Sequence, residues 1–354
     1  MPRIRLHAWC GWAASLAVLT SLPAAADHAA LGLGGSVGSP INTESALTLP
    51  VGRWSAGWRS EYVNQGRFSD HRLEDTELHS TDALWVNTLV LAYGLSDDLT
   101  LALRLPHVQR FNAREAEHHD APDAGDHGDH HGEHEEHDAP EDEHHGGEIL
   151  DLGDPDGRGD ATLFGEYRFF QSADQRSHLA LLAGIKAPTG ETGRRGGGAR
   201  LETELQPGSG SWDSLLGLAA THLQGPLSWD ASLLYSFVNP GAQSTDLGDV
   251  FGYNLAASYR LGGNRPPSPY DLQQAHNWDL VMELNGEWRD REEIHGAEQA
   301  DTGGNVVYLS PGVRYLNAAG WNLALSLGVP VVKALHGTQV EPDYRVISSF
   351  HVAF

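Results

Sequence analysis

Leu227-Ser228-Trp229-Asp230-Ala231-Ser232-Leu233-Leu234-Tyr235-Ser236-Phe237 is the stretch that decides the fold. Leu227, Trp229, Ala231, Leu233, Tyr235 and Phe237 share one side of an extended chain, and Ser228, Asp230, Ser232 and Ser236 share the other. Successive side chains of a strand point to opposite faces, so one face here meets an apolar medium and the other a polar one. The same period returns in Phe251-Tyr253-Leu255-Ala257-Tyr259-Leu261, set against Gly252, Asn254, Ser258 and Arg260. It returns again in Trp278-Leu280-Met282-Leu284-Gly286-Trp288 and in the final Tyr344-Val346-Ser348-Phe350-Val352-Phe354.

Working outward, twelve such segments are predicted: about 53–64, 80–94, 97–111, 159–170, 177–188, 211–223, 227–238, 249–262, 276–289, 303–317, 320–331 and 342–354. Tight links at 94–96, 224–226 and 318–319 alternate with long ones at 112–158, 189–210 and 290–302. The link 263–275, with Pro266, Pro267 and Pro269, is the long exception on the short side. An even strand count with short turns on one side and long loops on the other is the pattern of an outer-membrane barrel. The physical reason is backbone satisfaction, because an unpaired amide in hydrocarbon costs several kcal/mol and a spanning sheet must therefore close on itself. A soluble sandwich or propeller also alternates. The barrel is favoured by the loop lengths, an export leader and a terminal aromatic strand taken together. The expected fold is thus all-β, a single transmembrane barrel of about twelve antiparallel strands over 53–354. Trp54, Trp58, Tyr62, Trp229, Phe237, Trp278 and Trp288 suit two interfacial aromatic girdles, and Phe350, Val352 and Phe354 suit the signal read by the barrel-assembly machinery. Tyr315–Val332 is long and uncharged, but Asn317, Gly320, Asn322, Gly328 and Pro330 interrupt it and Trp321–Leu327 alternates as a strand does.

Residues 1–26 read as a cleaved signal peptide, with Arg3 and Arg5, an apolar stretch Trp12–Leu22, and Ala24-Ala25-Ala26 before Asp27. The expected location is the bacterial outer membrane, with lipid and lipopolysaccharide as neighbours. The Gly-rich segment 27–52 is left as either periplasmic or plug-like. The only cysteine, Cys10, falls in the leader, which excludes disulfides and cysteine-based metal or redox sites from the processed chain. The 354 residues carry 48 acidic and 23 basic side chains, a net charge of −25, so no basic face is available for nucleic acid.

Between Glu115 and Glu148 stand fourteen acidic residues, nine histidines and no Lys or Arg. His118, His119, His127, His130, His131, His134, His137, His144 and His145 belong to this tract. Such polarity cannot bury a core, so a disordered extracellular loop is expected within 112–158. Imidazoles and carboxylates are ligands for Zn²⁺, Cu²⁺ and Ni²⁺, and a flexible chain can wrap an ion with them without preformed geometry. The bland reading is a solvated loop whose charge deters adhesion or pairs with lipopolysaccharide-bound cations. Asp151, Asp154, Asp156 and Asp160 resemble a loose calcium loop, but the distal Glu of that motif is missing and a turn explains them better.

The polar faces place Arg59, Glu61, Glu166, Arg168, Asp230, Arg260, Glu283, Glu287, Arg314, Arg345 and His351 in the lumen. Opposite charges there are expected to pair, and a mixed polar path suits small solutes. No enzyme is expected. Gly208-Ser209-Gly210-Ser211 lacks the spacing of a nucleophile elbow, and His222, His276, His295, His336 and His351 each lack a recognisable partner.

Gly159-Asp160-Ala161-Thr162-Leu163-Phe164-Gly165-Glu166-Tyr167-Arg168-Phe169 and Gly184-Ile185-Lys186-Ala187-Pro188-Thr189-Gly190 resemble an outer-membrane "transporter" family named "putative phenol-degradation meta-pathway proteins". The resemblance extends over roughly 45–354 and implies a barrel with an uptake role, without supplying a substrate or a catalytic residue. Three expectations follow. The first is a channel for small solutes whose loop binds divalent metals, feeds the pore and needs no other cofactor. The second is an uptake channel for small organic or aromatic compounds, with the loop inessential. The third is a barrel-anchored metal buffer or adhesin without transport.

Overall fold

The computed structural model describes residues 40–74, 78–116, 148–266 and 276–354, and it is a closed, twelve-stranded antiparallel barrel. The strands are β1 (Trp54–Gln65), β2 (Ala83–Ser96), β3 (Leu99–Phe111), β4 (Ala161–Gln171), β5 (Ser177–Ala187), β6 (Asp213–Gln224), β7 (Leu227–Phe237), β8 (Val250–Leu261), β9 (Asn277–Arg289), β10 (Gly304–Leu316), β11 (Trp321–Leu335) and β12 (Pro342–Ala353). Each pairs with its sequence neighbours, and β1 closes the ring on β12 from Ser55↔Ala353 to Gln65↔Pro342. Trp54 and Phe354 exchange both backbone hydrogen bonds, at 3.0 and 2.9 Å, so the cylinder has no free edge at the seam. Among the described residues no helix is long and apolar enough to cross a membrane; the crossing elements are these strands.

Burial is inverted relative to a water-soluble protein. Leu89, Leu91, Leu216, Leu218, Leu255, Leu280, Leu325 and Val329 are exposed, whereas Arg59, Glu61, Asp230, Arg260, Asp279, Glu283, Arg314 and Arg345 are buried. An apolar outer wall around a polar interior is stable only where the outer medium is hydrocarbon. Aromatic rings gather at both ends of that wall. Trp54 packs on Tyr93, and Trp278, Tyr315, Trp321 and Phe350 form a chain, at the end holding the short turns. Tyr235, Phe237, Phe251 and Tyr253, with Tyr62 on Tyr344, occupy the opposite end. The short-turn end faces the periplasm in barrels of this kind.

Two segments differ from expectation. β11 runs on to Leu335 rather than stopping near Val331, because the ladder shifts register between Val307 and Tyr308, opposite Pro330. A local irregularity lets a strand absorb a proline that cannot donate to the ladder. The link 112–158 is not loop throughout. Ala113–Ala116 pairs with Ile149–Gly153, and Asp156–Arg158 extends the sheet against β3. The remainder, 117–147, lies outside the described residues.

Candidate functional site

Residues 40–50 enter the barrel from the short-turn end and cross its interior. Val51 N–H donates to Asp97 Oδ1 (3.1 Å) at the tight turn between β2 and β3, and Leu49 N–H donates to Thr100 Oγ1 (2.8 Å). Further in, Ala46 N–H reaches Thr221 Oγ1 on β6 at 2.9 Å and Glu44 N–H reaches Ser232 Oγ on β7 at 3.4 Å. The tip is held by Glu283 of β9, whose carboxylate accepts from the backbone N–H groups of Ile41 (3.2 Å), Asn42 (3.1 Å) and Thr43 (3.0 Å). Successive amides converging on one anion form a backbone nest. Residues 41–49 are all buried. Arg59 Nη2 donates to Asn42 Oδ1 at 2.6 Å, and Arg104 pairs with Glu44 at 3.3 Å, so side chains also join the segment to the wall.

The wall on either side of this segment differs in kind. Towards the periplasm, fully buried Asp279 accepts from Arg260 (3.0 Å), Arg265 (3.1 Å) and Arg314 (2.8 Å). Asp230 sits nearby with hydroxyls of Thr221 and Ser228, each 2.7 Å away. Towards the outside, Glu61 pairs with Arg59 at 2.8 Å and with Arg345 at 3.6 Å, and Arg345 lies over the Tyr308 ring at 4.2 Å. Above them opens a cavity of about 440 Å³, reaching from Asn42, Glu61 and Asn285 up to Thr302, Gln339 and the outer loops. That volume lies within the range of small-molecule pockets. Its lining mixes aliphatic Val63, Leu234 and Val306 with amides and carboxylates. A smaller cavity of about 270 Å³ lies beside β3 to β5 and is lined by Arg104, Asp160, Lys186 and Ser209 among others.

Of the residues assigned to the lumen from sequence, Arg59, Glu61, Glu166, Asp230, Arg260, Glu283, Arg314, Arg345 and His351 are buried, and Glu287 is partly buried beside Arg289. Arg168 sits at the periplasmic rim, 2.7 Å from Asp98 of the tight turn. The reading missed Asp279, Arg104, Glu44 and Lys186, although Asp279 and Arg104 occupy inward-facing positions of alternating segments. His222 and His276 do have partners, the hydroxyls of Ser177 (2.9 Å) and Tyr315 (2.5 Å), in pairs that contain no acid. Phe350 and Phe354 are exposed at the periplasmic end of the outer wall. The nine tract histidines lie outside the described residues. The four aspartates of the loose calcium motif do not converge: Asp151 caps Gly153 N–H, Asp154 caps Asn112 N–H, Asp156 lies 3.7 Å from His107, and Asp160 holds Gly190 and Ser209.

A cluster that sequence did not reveal lies at the outer mouth. His79 Nδ1 is 2.8 Å from Glu204, while His79 Nε2 is 3.4 Å from both Glu115 and Glu202. Burial works against charge on this imidazole, yet the Glu204, Glu115 and Glu202 carboxylates outweigh it and hold its pKa well above the ordinary value. His79, Glu202 and Glu204 are placed so that one atom from each could meet a single metal ion.

Residues 140–331 match the family described as "Putative MetA-pathway of phenol degradation". The chain belongs to this family. Among solved structures it is similar to an outer membrane channel from Pseudomonas putida F1, with 18% identity and a TM-score of 0.53, over 89% of this chain and 100% of that one. A Pseudomonas aeruginosa FadL homologue aligns with a TM-score of 0.45 and 9% identity over 91% of this chain and 95% of the other. No curated protein matches the sequence. The likeness to the Pseudomonas putida channel is one of barrel fold.

Proposed function

We propose that the protein is an outer-membrane uptake channel for small organic solutes, exported by cleavage of residues 1–26. The observation that carries this reading is the 440 Å³ cavity between the outer loops and the N-terminal segment. It gives an incoming solute a place to bind, with aliphatic walls for an apolar body and Asn42, Asn254, Asn285 and Arg345 for a polar group. Passage then requires the segment 40–50 to shift, since it crosses the lumen beneath. The family description points to phenolic compounds as the class to try first. Liposomes carrying the purified protein should take up phenols faster than sugars of equal size, with or without residues 117–147. Equal rates for both solute classes would count against this reading.

A second reading, capture of divalent ions by the His/Asp/Glu tract, is supported by its composition and attachment. Both ends of the tract are pinned at the outer mouth, where Ala116 pairs with Ile149. Ion uptake by liposomes that disappears on deleting 117–147 would favour it over the first.

A further inference from the structure

We infer that His79, Glu202 and Glu204, whose ligand atoms lie within 4.8 Å of one another, form a site for a divalent transition-metal ion at the mouth of the barrel, separate from the histidine tract and with Glu115 beside it. The site is built by the fold. Ser80 and Arg114 exchange both backbone hydrogen bonds at 2.9 Å, which sets His79 beside Glu115. Glu202 and Glu204 flank Thr203 at a 3-10 turn, Thr203–Leu205. Leu205 and Leu201 pack with Ala113 and Leu152, so an apolar cluster pins that turn against the strand carrying Glu115. Arg110 Nη1 donates to the carbonyls of Leu205 (3.4 Å) and Gln206 (3.2 Å) and fixes it further. Three outer links therefore meet at one imidazole.

The imidazole is arranged as a ligand. Its Nδ1 lies 2.8 Å from Glu204, and its Nε2 lies 3.4 Å from Glu202 and from Glu115. Nε2 is shielded from solvent and has no hydrogen-bond partner. The ligand atoms of His79, Glu202 and Glu204 all fall within 4.8 Å of one another, so modest side-chain adjustment brings them onto one ion at bond lengths of about 2.1 Å. Charge agrees with geometry. Among the described residues Glu115 and Glu202 have no ion partner other than His79. A proton on Nε2 would leave three carboxylates against one positive charge, which a divalent ion offsets better. An imidazole ligand favours Zn²⁺, Ni²⁺ or Cu²⁺ over Ca²⁺ or Mg²⁺. An ion held here ties the link before β2 to the links that follow β3 and β5, at the rim of the solute cavity.

The test is zinc stoichiometry by equilibrium dialysis, on the intact protein and on protein lacking 117–147. One tight equivalent should survive tract deletion, vanish on His79→Gln, and weaken at least tenfold on Glu204→Gln, which keeps the shape but not the charge. Glu202→Gln, on the more exposed carboxylate, serves as the second ligand variant should His79→Gln not fold, and it should also lose the tight equivalent. Heat-dependent gel mobility verifies the barrel in every variant. Absence of a tight equivalent in the tract-deleted protein, or its retention in the folded ligand variant, would overturn the assignment. Neither outcome bears on solute uptake, so this inference and the proposed function stand or fall apart.

Discussion

The two halves of the lumen are built on opposite principles. On the periplasmic side one buried carboxylate, Asp279, is shared by three guanidiniums, and the interior is filled with direct ion pairs. On the outer side the wall draws back around a cavity lined by Glu61, Glu202, Glu204, Glu287, Glu292 and Asp301, with Arg289 and Arg345 as counter-charges. The N-terminal segment lies between them, its tip clasped by Glu283. The difference teaches where rigidity and access reside. Ion pairs converging on buried Asp279 mark one half, and an open cavity with an acidic lining marks the other.

The sharpest way to break this comparison is Asp279→Asn. Removing the shared charge strands three buried guanidiniums, and breaking a buried pair costs about 3–5 kcal/mol. The urea midpoint of the detergent-solubilised barrel should fall accordingly. Glu287→Gln, which loosens only the partly buried pair with Arg289 at 3.2 Å, should cost about 1 kcal/mol or less. Comparable losses at both positions would erase the distinction.

Next in size is Glu283→Ala. The carboxylate accepts three backbone N–H groups, and a hydrogen bond to a charged group contributes about 1.5–3 kcal/mol. Amide exchange at residues 41–43 should accelerate well beyond that of the barrel strands, with conductance rising in parallel. Unchanged exchange there would show that the clasp does not hold the segment. The smallest effect belongs to the vestibule. Its acidic lining should favour cations about twofold at low salt, and the preference should fade above about 0.1 M, where the screening length shrinks to about 10 Å. Glu287→Gln with Glu292→Gln should reduce it, as read from reversal potentials.

The strands were legible because the two media around a barrel wall impose a period of two that no local propensity can imitate. Leu227–Phe237 shows both faces in eleven residues. The extension of β11 beyond 331 was not legible, because sequence does not reveal the irregularity that leaves Val331 unpaired between Val307↔Val332 and Tyr308↔Pro330. The lumen-crossing segment was not legible in the same way. Its contacts are backbone amides meeting Glu283, Thr221 and Thr100, residues far away in the chain, so Ile41–Leu49 needs no alternation of its own. The mouth cluster was hidden for a related reason. His79, Glu115, Glu202 and Glu204 come from three separate links, and only the Ser80–Arg114 bridge and the Ala113–Leu205 packing bring them together. The histidine tract, by contrast, stands out in sequence by its composition alone.

Planar-bilayer conductance of intact protein against protein lacking residues 27–50 tests directly whether the N-terminal segment closes the barrel. The intact channel should be nearly silent, with a single-channel conductance severalfold below that of the truncated form. Equal and large conductance in both would contradict it.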